Sequence, residues 1–67
     1  MQNYTPLAPR DLIKFRAHYG MTQGGLAKAI GASTPAISSW ENGKTAIPMY
    51  IALALSAFAA GLPPYSS

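Results

Sequence analysis

The side chains able to move a proton near neutral or acidic pH are few. There is one histidine, His18, two carboxylates, Asp11 and Glu41, and no cysteine. Asp11 and His18 fall two turns apart on one predicted helix and have no third partner to orient them. No acid–base pair, nucleophile elbow or metal set can be assembled from these residues, so the chain reads as neither an enzyme nor a carrier of a metal or cofactor. His18 reads as a solvated histidine near a helix C-terminus. The remaining chemistry is that of binding. The net charge of +3 and sequence pI near 9.6 suit an anionic partner, and a pair of chains would present twice that charge.

The elements that position the binding residues centre on Met21–Lys44, MTQGGLAKAIGASTPAISSWENGK. This stretch reads as two short helices joined by a tight glycine turn. Thr22 can cap a helix over Gln23 to Ile30, with Leu26, Ala27 and Ile30 on its apolar face. Gly31 follows, where a left-handed backbone disfavours a residue with a Cβ. Ser33 or Thr34 can cap the next helix, from about Thr34 to Glu41 or Asn42, whose inward residues are Ile37 and Trp40. Pro35 is tolerated there because it lies in the first turn. Ala27 falls where two helices cross closely, and Ile37 points back into the same wedge. Two helices held in this way can place the second in a DNA major groove. Gly24 and Gly25 weaken the start of the first of them, and Gly25 stands where glutamate would complete a capping box.

Upstream, Pro9 is suited to open a helix that Gly20 closes, with Asp11 in its first turn, His18 in its last, and Leu12, Phe15 and Tyr19 as its buried stripe. Residues 1–8 have no period and read as an arm or loop. Downstream, Thr45–Pro48 forms a turn, and Pro48 is expected to open a last helix to about Ala60, ended by Gly61 and Pro63-Pro64. That helix is apolar on nearly every face, more than three short helices can cover. No strand signal, repeat or low-complexity tract is present.

At 67 residues the chain holds a single domain, and a domain of this size buries only roughly 60% of its unfolded surface. Without disulfides or a metal, tight helix packing or oligomerisation must supply the stability. Hydrophobic residues make up 49% and charged residues 10%, which argues against disorder and leaves apolar surface for a partner. The apolar run Met49–Ala60 is too short to span a membrane, and it carries no lysine or arginine to hold it at a membrane surface. MQNYTPLAP lacks the features of a secretory signal, so a cytoplasmic location is expected.

Phe15-Arg16, Gly20-Met21-Thr22-Gln23, Leu26-Ala27, Gly31-Ala32-Ser33, Ile37-Ser38 and Trp40-Glu41-Asn42-Gly43-Lys44, in this order and spacing, resemble the Cro/repressor (Xre-type) helix-turn-helix family. The likeness covers residues 12 to 48 well and the last helix loosely. It implies an all-α, lambda-repressor-like bundle of four (at most five) helices, acting as a dimeric repressor on an inverted-repeat operator of double-stranded DNA. It implies that Gln23, and Thr22 through its backbone N–H, contact phosphate. Thr34 and Pro35 would face base edges, with Ser38 and Ser39 one turn on, and Asn42 and Lys44 would hold the DNA backbone. Arg16 and Glu41 would form a structural ion pair. The family often carries arginine or glutamine on the outer face of its recognition helix. This chain offers Thr34, Pro35, Ala36, Ser38 and Ser39, none of which can make a bidentate contact to guanine or adenine. The alanine-rich last helix and Pro-Pro tail also resemble, more loosely, the anti-CRISPR-associated autorepressors of phages and mobile elements.

Trp40 reads as core, beside Ile37, and not as a base-stacking residue. The last helix reads as core, or as core plus a dimer seam, with Tyr50, Leu53 and Phe58 as seam candidates. Lys14 and Lys28 read as solvated, Arg10 stands evenly between solvent and phosphate, and Tyr4 with its arm could reach a groove or pack over the core. No small-molecule substrate is expected. The alternative of a different class is an antitoxin or adaptor whose apolar last helix grips a protein partner.

Overall fold

A computed structural model describes residues 7–61 of the chain. It has four helices in the order α1 (Pro9–Tyr19), α2 (Gln23–Ile30), α3 (Thr34–Glu41) and α4 (Tyr50–Ala59), with no strand among the described residues. The expectations for the arm at residues 1–6, including Tyr4, and for Pro63-Pro64 and a fifth helix lie outside the described residues.

Local chemistry accounts for most helix ends. Thr22 Oγ1 accepts the Gly25 N–H at 3.0 Å and caps α2, so its two first-turn glycines are helical despite their low propensity. Of the two candidates for capping α3, Ser33 does so, its Oγ accepting the Ala36 N–H at 3.2 Å. Asp11 Oδ2 accepts the Ala8 N–H at 2.7 Å and secures the start of α1. Gly20 and Gly31 close α1 and α2 in the left-handed region, at φ of 65° and 74°. The last helix starts two residues later than expected. Pro48 and Met49 form a tight turn, their carbonyls accepting the N–H groups of Ile51 and Ala52 three residues on, and the α-helix proper begins at Tyr50.

Leu12, Leu26, Ala27, Ile30, Ile37, Trp40, Ile51 and Leu55 make one buried cluster to which every helix contributes. α2 packs chiefly on α3, α1 rests against α3, and α4 rests against α2. Ala27 is buried, and Ile37 and Trp40 are both core, as their spacing implies. The expected stripe on α1 is only partly right. Leu12 is fully buried and Phe15 half-buried, but Tyr19 is 40% exposed. Tyr19 lies at the last turn of α1, past the edge of the core, where its ring packs on Phe15 and Phe58 at centroid distances of 4.8 and 5.1 Å, with His18 at 4.7 Å. α4 buries Ile51 and Leu55 and leaves Tyr50 and Leu53 exposed, so its apolar circumference does exceed what its neighbours cover.

Candidate nucleic-acid interface

The geometry of the site begins with the ion pair that binds α1 to the end of α3. Arg16 Nε donates to Glu41 Oε2 at 2.7 Å and its Nη2 donates to Glu41 Oε1 at 2.9 Å, a two-pronged contact across 25 residues of sequence. Arg16 Nη1 also donates to the Met21 carbonyl at 3.1 Å, just before α2. The two side chains are 22% and 5% exposed, so the carboxylate is the buried member. The hydrogen bond from Arg16 holds Glu41 below the usual carboxylate range, against the opposing effect of burial and with added help from Gln23. The same bond raises the Arg16 guanidinium above its ordinary value.

Gln23 completes this network, its Nε2 donating to Glu41 Oε1 at 3.0 Å. The half-buried Gln23 amide thus ties the first residue of α2 to the last of α3. The family resemblance assigns Gln23 to phosphate, and nothing near Gln23 in the sequence signals this bond across 18 residues. One amide N–H is engaged inside the protein, and only the second can point elsewhere.

The starts of α2 and α3 lie side by side. A Cβ placed on Gly24 would sit 3.6 Å from Thr34 Oγ1. Thr34 and Pro35 are exposed at the start of α3, with Ser38 and Ser39 half-exposed behind them. Ala36, expected on the outer face, is half-buried and packs against the core. Asn42 is exposed at the C-cap of α3 and reaches back to Ser38 Oγ at 3.4 Å. Lys44 is exposed in the following loop, its backbone N–H bonded to the Ser39 carbonyl at 2.9 Å. That loop folds against the start of α1, so Pro9, Gly43 and Thr45 line one cleft.

The candidate seam residues divide. Tyr50 and Leu53, 64% and 67% exposed, share one face of α4. Phe58 is half-buried, and its ring packs within the same chain on Phe15 at 5.9 Å and on Tyr19, so it is removed from the exposed face. Among the described residues no group of carboxylates and histidine could hold a metal, and no helix is long and apolar enough to cross a membrane.

The arrangement is a packed pair of helices: α3 has an exposed, uncharged start, with Asn42 and Lys44 following its end, and α2 has Gln23 at its start. It matches a way of meeting a phosphate-lined groove. No curated protein matches the chain. The model of a family described as Helix-turn-helix matches residues 12–59, from the first core leucine to the end of α4. With the packed α2–α3 pair and the Arg16–Glu41 tie, that match places the chain in the Cro/repressor (Xre-type) helix-turn-helix family of DNA-binding transcription regulators.

Proposed function

We propose that the protein is a transcriptional repressor that binds an inverted-repeat operator as a homodimer and occludes a promoter, its own among them. The observation that carries this reading is the exposed start of α3, where Thr34 and Pro35 stand clear of a helix otherwise anchored by Ile37, Trp40 and the Glu41 network. A recognition helix contacts base edges with its N-terminal residues, and a second copy sets a second one about one helical turn away. Thr34, Pro35, Ser38 and Ser39 face the bases in this reading. The second amide N–H of Gln23, the Thr22 backbone, Asn42 and Lys44 meet phosphates. The exposed Tyr50 and Leu53 on α4 supply the apolar contact between protomers.

Fluorescence anisotropy over a salt series tests the proposal, with a duplex from the gene's own upstream region set against a scrambled duplex. The expected result is a preference of about 10³-fold or more with a steep salt slope. Lys44→Ala and Gln23→Ala should weaken binding to all sequences alike, whereas Thr34→Ala and Ser39→Ala should change which sequence is preferred. Equal losses on specific and random DNA for all four variants would refute this division of labour. Binding to neither duplex by folded protein would overturn the repressor reading and favour a protein partner for the α4 face.

A further inference from the structure

The outward surface of α3 is short of the groups that usually read purines. Ile37 and Trp40 are core, Ala36 packs against the core, and the Glu41 carboxylate is held by Arg16 and Gln23. Thr34, Pro35, Ser38 and Ser39 remain, and no side chain of α3 carries a guanidinium, an ammonium or an amide. On the flanking elements, one amide N–H of Gln23 is held by Glu41 and one of Asn42 by Ser38. Paired hydrogen bonds to guanine O6 and N7, or to adenine N6 and N7, need a forked or amide side chain, and α3 itself carries none. One feature of the major groove is read without a hydrogen bond, the C5-methyl group of thymine.

The most exposed residues at the start of α3 suit that feature. Pro35 presents an apolar ring. Thr34 Oγ1 lies on the α2 side, within 3.6 Å of where a Cβ on Gly24 would be. The Thr34 oxygen, and not its methyl, is the atom of this side chain within 4 Å of that position. Both residues sit at the end of the helix that approaches base edges in this class of docking.

We infer that Thr34 and Pro35 read pyrimidine C5-methyl groups, so that operator choice depends on thymine methyls and not on the donor and acceptor pattern of purines. The inference rests on the proposed reading of α3 as the recognition helix. It extends to 5-methylcytosine, which carries its methyl at the same ring position.

The test uses the full chain and a duplex of about 20 base pairs selected by it from a randomised library, long enough for two half-sites one turn apart. Anisotropy then compares the selected duplex with copies carrying deoxyuridine for every thymidine, or 7-deazaguanine for every guanine. Removing a contacted methyl should weaken binding about fourfold, and about 15-fold when one is lost from each half-site. The 7-deazaguanine copy should change affinity by less than about twofold. Chains carrying both Thr34→Ser, which keeps the hydroxyl, and Pro35→Ala, acceptable at a helix start, should bind the thymidine and deoxyuridine duplexes alike. Deoxyuridine without effect on a selected duplex, a larger loss on 7-deazaguanine, or undiminished discrimination by the double variant would each overturn the methyl reading while leaving specific DNA binding intact. Failure to enrich any duplex would instead overturn the reading of α3 as the recognition helix, and the methyl reading with it.

Discussion

Replacing Arg16 by methionine should damage the fold far more than neutralising its partner. The asymmetry follows from exposure. The Glu41 side chain is 5% exposed and the Arg16 side chain 22%. In Arg16→Met the carboxylate stays buried with only the Gln23 amide to satisfy it, and an uncompensated buried charge costs about 3–5 kcal/mol. In Glu41→Gln the guanidinium keeps the Met21 carbonyl and can turn to water, so the cost is about 1–2 kcal/mol. At about 0.05–0.15 kcal/mol per residue, a chain of 67 residues has about 3–10 kcal/mol in all, so Arg16→Met should remove about a third of it or more. The double variant Arg16→Met, Glu41→Gln removes the stranded charge and should be more stable than Arg16→Met alone. Urea unfolding followed by far-UV circular dichroism measures all four proteins. The sign of the pH dependence is also determined. Glu41 is depressed in the native state, so the pair's stabilisation is present above the unfolded carboxylate value of about 4.3 and is lost as pH falls through the lower native value. Without Arg16, burial raises Glu41, and acid relieves the penalty. The gap between the parent and Arg16→Met should therefore narrow as pH falls from about 7 to about 4. Equal costs below about 1 kcal/mol for both single variants, without pH dependence, would show that the pair behaves as an exposed one and refute the argument.

Gly24→Ala should raise stability by up to about 1 kcal/mol, because its Cβ meets the Thr34 and Thr22 hydroxyl oxygens at ordinary contact distances of 3.6 and 3.9 Å. Thermal unfolding checks this, and no gain would mean that the first turn of α2 is not helical in solution. Ser33→Ala should cost about 1 kcal/mol through loss of the α3 cap, read from the shift in urea midpoint at constant slope. Leu53→Asp should leave the helical spectrum intact and convert a dimer to a monomer in sedimentation. A dimer that persists would move the seam off this face of α4.

What could be read from the sequence was local. The closures at Gly20 and Gly31, the Thr22 cap and the choice of Ile37 and Trp40 as core each depend on residues within a few positions of one another. The bounds of α1, α2 and α3 follow from them. A familiar order of residues also pointed to the Arg16–Glu41 pair, but their 25-residue separation contains no physical signal that they meet. Helical period tells which residues share a face and is silent on what that face touches. Tyr19 fits the stripe of α1 and yet is 40% exposed, its ring meeting Phe58 of α4 and not the buried cluster. Phe58 belongs to an apolar helix that faces every way, and only the position of α1 turns its ring inward. Gln23 looks free at a helix start until the end of α3 arrives beside it, and Gly24 meets Thr34 only because α2 and α3 pack together. Caps, breaks and periods are set by neighbours along the chain, whereas partners across helices are set by crossing angles that the packing of the whole core decides.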